Sequence, residues 1–407
     1  MALDKLNQAL SKHVQHLEEN GRAKGKEKVV RKIIAPGNGR GPRYLLEGYG
    51  DQEFIRMNAN SYLGLSLRQD MIDAEEKGAK EFGVGPGAVR FIVGTYTPHI
   101  KLEQRLARFH NRQEGMIFSS AYATSLGVIY PLTTKETVLI SDELNHNCII
   151  NAIRLGKPMD KEIYRHNNME ELESALKKHA GQAKRALVIT DGIFSMRGDH
   201  APLKKLTELC EKYNDQFEEG VISIVDDSHG VGAIGNTGRG TEEYTDAKVD
   251  VLVGTLGKAF GVNGGYVVSS SDVITYLRET APTYVYSNPI TVSECEAATQ
   301  AVNILDSEEG RGIIKHLGNM TERFQDGLKQ AGYETIEGAH PVVPLMVRDT
   351  KKTKAIVEYL TDNGILATGL SYPVVPQGDE EIRFQVCADH TEQDIDYVLD
   401  VLKKYKG

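Results

Sequence analysis

An α/β fold, with a mostly parallel seven-stranded sheet in a large domain and a smaller C-terminal α+β domain, is what this sequence predicts. Three observations carry the prediction. Short, nearly continuous apolar runs recur between residues 116 and 268, amphipathic helical stretches separate several of them, and polar clusters follow four of the runs. Continuous apolar strands are those covered on both faces, and alternation of strand with helix builds a parallel sheet.

Taken in order, the chain begins with Leu6, Leu10, Val14 and Leu17 at helical spacing, stopped by Glu19-Asn20-Gly21. A basic run follows (Arg22, Lys24, Lys26, Lys28, Arg31, Lys32), which reads as a solvated face. A hairpin of 44–46 with 54–56 comes next, turned at 48–51. The seven strand candidates are 116–118, 138–140, 163–164, 186–189, 221–225, 251–253 and 266–268, with helices over 170–178 and 203–213. From about residue 291 the texture changes. A long helix runs into 313–330, and after it come a strand at 342–347, a helix at 352–362, a strand at 382–386 and a last helix. The expected divisions are an N-terminal helix and hairpin arm (1–57), a large domain (58–290) and a small domain (291–407).

Composition removes several classes of function. With 407 residues, 40% apolar and 26% charged, the chain can bury a sizeable core and is not disordered throughout. Acidic residues (57) outnumber basic ones (48), giving a formal charge of −9, which argues against a general nucleic-acid partner. No run approaches the roughly 18 apolar residues of a membrane span. The N-terminus lacks the apolar core of a signal peptide. Cys148, Cys210, Cys295 and Cys387 form no CxxC pair, so a cytoplasmic location is expected, without zinc or disulfide frameworks.

In an open α/β sheet, ligands bind beyond the carboxyl ends of the strands. Four polar sequences fall there: Ser119-Ser120-Ala121-Tyr122, Ser141 to His146, Asp226-Asp227-Ser228-His229, and Gly254-Thr255-Leu256-Gly257-Lys258. A phosphate P-loop fails, because Gly254 and Gly257 are too close and Ala259 follows the lysine. Lys258 could be a solvated lysine or a desolvated amine of lowered pKa. Asp226 could cap a helix, bind a metal with Asp227 and His229 (His146 and Asp142 supplying further ligands), or face a protonated heterocyclic nitrogen. His146 could equally cap a helix.

Pyridoxal 5'-phosphate (PLP) would use every one of these groups. Its aldehyde needs an amine (Lys258), its pyridine nitrogen a carboxylate (Asp226), and its phosphate amides and hydroxyls (Ala121, Tyr122, Thr255). His146 would cover the ring, and His229 and Ser195 would meet its hydroxyl.

With Asn60-Ser61-Tyr62-Leu63-Gly64-Leu65, residues 190–196 (TDGIFSM), the Asp226-Asp227-Ser228-His229 and Gly254 to Lys258 sequences, and Ile382-Arg383, the chain resembles the α-oxoamine synthases. These are PLP-dependent acyltransferases of fold type I. Within that family it looks most like glycine C-acetyltransferase (2-amino-3-ketobutyrate CoA ligase), on residues 89–95, 140–142, 145–146, Tyr284, Ser287-Asn288 and 372–376. The resemblance implies condensation of a small amino acid, glycine first, with an acyl-CoA, acetyl-CoA first. It makes Lys258, His146 and His229 catalytic, and implies that Lys258 holds PLP covalently and moves the α-proton. Arg383 would bind the amino-acid carboxylate beside Asn60. Ser287 and Asn288 would reach the phosphate from the partner in a homodimer.

Departures from the family pattern are Ala123-Thr124-Ser125 (asparagine is usual at 125), Arg197 in place of an acidic residue, and a short 261–264 loop like that of 8-amino-7-oxononanoate synthase. They bear on the acyl preference. The alternatives are an 8-amino-7-oxononanoate synthase-like or serine palmitoyltransferase-like enzyme using alanine or serine, then a fold-type I aminotransferase or aldolase, and last a non-catalytic binding protein. The basic run is a candidate for the phosphates of coenzyme A.

Overall fold

The computed structural model describes residues 2–405 apart from Gly21, Lys24 and Pro373. Lys24 of the basic run and Pro373 of the 372–376 motif therefore lie outside the described residues.

The arm comprises α1 (Ala2–Glu19), β1 (Val30–Ile34), β2 (Arg43–Leu46) and β3 (Ile55–Arg56). After α2 (Gln69–Phe82) and α3 (Thr97–Phe109) comes the alternating region: β4 (Glu114–Phe118), α4 (Ala121–Leu132), β5 (Thr137–Asp142), α5 (Asn147–Leu155), β6 (Asp160–Tyr164), α6 (Met169–His179), β7 (Arg185–Asp191), α7 (Leu203–Tyr213) and β8 (Val221–Asp226). It continues through α8 (Thr241–Thr245), β9 (Val251–Thr255), β10 (Gly265–Ser269), α9 (Ser271–Thr280) and α10 (Pro282–Val285). Helices α11 (Val292–Leu305) and α12 (Glu308–Gln330) lead to β11 (Glu334–Thr335), β12 (Val342–Met346), α13 (Thr350–Asp362), β13 (Ile365–Leu366), β14 (Thr368–Leu370), β15 (Glu381–Gln385) and α14 (Glu392–Lys404).

All seven predicted strands are present, in the order β4-β10-β9-β8-β7-β5-β6, and β10 runs antiparallel to both its neighbours. Every position of β5, β9 and β10 is buried, as a sheet sandwiched by helices requires. The carboxyl ends of β4, β5, β7, β8 and β9 consequently share one edge of the sheet.

Behind that edge, β11-β12-β15-β14 form an antiparallel sheet. One side of it is filled by Phe324 of α12 against Phe384, ring centroids 5.1 Å apart. Two backbone bonds lay the segment 57–62 along the end of β15, from Gln385 N to Met57 O (2.8 Å) and from Ala388 N to Tyr62 O (2.7 Å). They bring Asn60 beside Arg383.

One expectation for the arm needs correction. The hairpin survives as the Tyr44–Phe54 bridge, but β3 pairs in parallel with β13, and β2 takes β1 as its antiparallel partner. The end of the basic run is strand, paired on β2, and its charged residues Arg31 and Lys32 stay exposed, as a solvated face would. Lys28 donates to Thr361 Oγ1 (3.2 Å) and Arg31 pairs with Asp51 (3.2 Å), so both cations are bound within the chain. The apolar face of α1 (Leu3, Leu6, Leu10, Val14) remains exposed. Helix α11 packs on α2 and α3 of the larger unit.

Candidate active site

Asp226 ends β8 and is 6% exposed. Its Oδ2 accepts from Ser125 Oγ (2.9 Å) and Cys148 Sγ (3.6 Å), and its Oδ1 from Ser228 N (3.1 Å). No cation pairs with it among the described residues. A buried carboxylate kept in that condition suits a cationic ring nitrogen.

Lys258 lies in the turn that leaves β9. Burial lowers its pKa to about 8, against the opposing pull of Asp226 and Asp191. The amine forms no ion pair among the described residues. Thr255 Oγ1 donates to Gly264 O (3.2 Å) and accepts from Gly257 N (3.1 Å), so this hydroxyl shapes the lysine's turn.

Helix α4 starts at the same edge, capped by Ser120 Oγ on Ala123 N (3.1 Å). Its first amides, from Ala121 and Tyr122, are the orphan donors of a helix N-terminus, an anion site. Gly265 passes directly beneath: a Cβ there would stand 2.4 Å from Ala121 N. Tyr122 is half-exposed, its hydroxyl donating to Asn147 Oδ1 (3.0 Å).

His146 caps α5 by accepting from Cys148 N (3.3 Å), while its own backbone N donates to Asp191 Oδ2 (2.8 Å). The ring stays exposed at the mouth of the site. Capping and covering are therefore compatible. Burial and the positive Lys258 lower its pKa, with Asp226 opposing.

His229 is buried, with Nδ1 2.7 Å from Tyr62 OH. Burial and the cations Lys258 and Arg383 hold its pKa well below 6.5, so the ring is neutral. Ser195 is half-buried in the turn after β7. That turn is pinned by His166, which bridges Asp142 (3.3 Å) and Asp199 (3.0 Å), and Arg197 joins Asp199 at 3.3 Å. The unusual arginine thus has a local acidic partner.

Arg383 is 9% exposed and donates to Asn60 Oδ1 (3.3 Å). Gln385, with its Nε2 on Met57 O, sets its amide oxygen on the same guanidinium. Ser287 is half-buried and Asn288 exposed, and no hydrogen bond joins either to this cluster among the described residues.

Two donors of the metal alternative, Asp227 and Asp142, are engaged elsewhere. Asp227 is spent on Thr241, accepting from its Oγ1 (2.5 Å) and its N (2.7 Å). Asp142 accepts from Leu144 N, Asn167 N and His166. Among the described residues, the groups of metal-ligating type that converge are Cys387-Asp389-His390 and Asp160-Glu162-His179, both without Asp226 or His229. Helix caps and turns took these carboxylates because their backbone donors would otherwise be buried unpaired.

Several site residues escaped the sequence. Ser125 stood out as a departure and Cys148 as an unpaired cysteine, yet neither carried a signal linking it to Asp226. Tyr62 lay within a quoted motif. Glu381 gave no signal.

Glu381 precedes Arg383 by two residues, is buried, and has no partner for Oε1. Burial pushes its pKa from 4.5 up to about 8, with Arg383 and Arg197 opposing. The folded protein therefore keeps a proton that the unfolded chain has released across that window. Stability falls as pH rises through it. Glu381→Gln is expected to match the parent near pH 4 and to exceed it by about 2 kcal/mol near pH 9 in chemical denaturation. Equal midpoints at both pH values would dismiss the buried proton.

The chain matches the aminotransferase class I and II family over residues 52–402. It is 37% identical over 355 residues to the 8-amino-7-oxononanoate synthase of Thermosipho melanesiensis, covering 87% of this chain and 88% of the relative. It is 40% identical over 346 residues to the mitochondrial 2-amino-3-ketobutyrate coenzyme A ligase of Bos taurus, covering 84% and 80%. A solved serine palmitoyltransferase from S. paucimobilis with bound PLP superimposes with a TM-score of 0.84 at 26% identity, covering 98% of this chain and 97% of the other. An unpaired amine, a buried carboxylate without a cation and a free helix N-terminus at one sheet edge fit the PLP that these relatives share. The chain belongs to the α-oxoamine synthases of the aminotransferase class I and II family, and is a PLP-dependent acyltransferase of fold type I.

Proposed function

We propose that this enzyme condenses glycine with a short acyl-CoA, acetyl-CoA first, releasing coenzyme A. The product is a β-keto amino acid or, after loss of carbon dioxide, an α-aminoketone. The observation that carries the proposal is the meeting of Lys258 and Asp226, from the large sheet, with Arg383, from the small one. The 40% identity to a 2-amino-3-ketobutyrate coenzyme A ligase supports the glycine and acetyl preference.

When bound, PLP supplies an aldehyde for an amine and a ring that accepts the electron pair of a broken α-bond. Asp226 would hold the proton on the ring nitrogen. Arg383 and Asn60 grip the substrate carboxylate, and that grip selects the α-bond offered to Lys258. With a pKa of about 8, Lys258 is substantially neutral at slightly alkaline pH and takes the α-proton as a base. Ala121, Tyr122 and Thr255 hold the phosphate end. His146 would cover the ring, and His229 and Ser195 would meet its hydroxyl.

In a homodimer, Ser287 and Asn288 would complete the neighbouring phosphate site. The uncovered face of α1 supports such an assembly.

A second reading has alanine and a longer, dicarboxylic acyl-CoA as substrates. Several 8-amino-7-oxononanoate synthases at 35–38% identity favour it. Thiol release with glycine, alanine and serine against acetyl-, long-chain and dicarboxylic acyl-CoA tests both readings. Glycine with acetyl-CoA is expected to give the highest kcat/KM. A maximum with alanine and a dicarboxylic thioester overturns the first reading, and no thiol release with any pair overturns both.

A further inference from the structure

Tyr62 lies where the two halves of the site meet. Its side chain is fully buried, its hydroxyl is 2.7 Å from His229 Nδ1 and 3.4 Å from Asn60 Oδ1, and it interacts with the Arg383 guanidinium. A phenol has one proton to donate, and a guanidinium can only donate. Two arrangements compete. In one, His229 Nδ1–H donates to the phenol, which donates to Asn60. In the other, the phenol donates to a bare Nδ1 and receives Arg383.

The distances favour the second arrangement. A separation of 2.7 Å is short for a ring N–H and ordinary for a hydroxyl donor, whereas 3.4 Å is a poor bond for the only proton available. Asn60 Oδ1 already accepts from Arg383 Nη2 at 3.3 Å.

The rest of the surroundings agree. After burial, the largest influences on His229 are Lys258, Arg383, His340 and His146, and all four oppose a second proton on its ring. His340 Nε2 lies 2.8 Å from His229 O, and His340 Nδ1 accepts from Val342 N (3.1 Å), which fixes the backbone. His229 Nε2 has no protein hydrogen-bond partner among the described residues.

We infer that Tyr62 is a positioning residue, ordered by Arg383, which holds His229 in the tautomer with Nδ1 bare and Nε2–H turned to the cofactor. A chain of donors then runs from Arg383 through Tyr62 to His229. Arg383 serves the substrate carboxylate as well, so arrival of the amino acid changes the donor on Tyr62 and, through it, the donor offered to the cofactor's ring oxygen. The inference rests on the roles proposed for Arg383 and His229, and its test must be separable from them.

Two measurements provide that separation. Nitrogen-15 NMR of histidine-labelled holoenzyme, without substrate, reads the tautomer whatever the substrates are. His229 is expected to show a bare Nδ1 and a protonated Nε2, and a protonated Nδ1 overturns the inference. In Tyr62→Phe, one oxygen is lost while the ring's packing is kept. The pH midpoint of the bound cofactor's visible band is expected to rise by about half a unit or more, because the ring oxygen loses its oriented donor. At the same time kcat should fall about tenfold, with the amino-acid KM changed less than about threefold. Arg383→Lys should move the same midpoint in the parent but not in Tyr62→Phe. An unmoved or lowered midpoint in Tyr62→Phe, or an equal shift by Arg383→Lys in both backgrounds, refutes the relay.

Discussion

Lys258→Ala is expected to leave a folded protein that binds PLP without a covalent bond, with kcat lowered by about a thousandfold or more. Two losses combine in that figure. The amine that holds the cofactor disappears, and so does the base, whose contribution alone is about 10²–10⁴ in rate. Little stability should be lost, because Lys258 pairs with no acid among the described residues and its burial disfavours its charge. Reduction with borohydride followed by mass analysis of the digest reads the covalent bond directly. Label retained in Lys258→Ala, or the parent's visible band unchanged, would remove Lys258 from the proposal.

The second large effect is expected at Arg383. Arg383→Lys keeps the charge but loses the planar fork that can hold a carboxylate through two parallel bonds. A charged hydrogen bond contributes about 1.5–3 kcal/mol, so the amino-acid KM should rise about tenfold to a hundredfold. The acyl-CoA KM should change little, because Arg383 is buried between Asn60, Tyr62 and Gln385 and serves the smaller substrate. Steady-state kinetics with each substrate varied in turn distinguishes the two. An unaltered amino-acid KM would return Arg383 to being a buried cation that holds the small sheet against segment 57–62.

The two predictions differ in what a failure would mean. Loss of the Lys258 assignment would detach the chemistry from the sheet edge. Loss of the Arg383 assignment would leave the chemistry intact and remove the specificity for α-amino acids. Glu381 and Tyr62 flank that arginine, one two residues before it in β15 and the other interacting with its guanidinium, and their variants report the buried proton beside it and its link to His229 rather than the specificity itself.

The strands and the residues at their ends were legible in the sequence because both are local. A five- or six-residue apolar run with a polar residue after it marks a buried strand and its carboxyl end, and Asp226, Thr255 and His146 follow such runs. Lys258, Ser195 and His229 lie a few residues further on. The arm was less legible: β3 joins β13, some 310 residues away, by two backbone pairings that no local pattern announces.

By itself, then, the sequence determined the alternating architecture, the edge where ligands bind and the chemical types gathered there. The tertiary structure alone decided which of those groups are paired, and with what. Ser125 meets Asp226 across 101 residues, Tyr62 meets His229 across 167, and Asn60 meets Arg383 across 323. Each of these pairings depends on how two distant segments lie against each other, and their hydrogen bonds are short-ranged and directional. Periodicity places a side chain on a face or at a strand end, but it carries no information about which remote donor arrives within 3 Å. The same reason separates Asp226 from Asp227: they are adjacent in the chain, one meeting Ser125 and Cys148 and the other bound to Thr241.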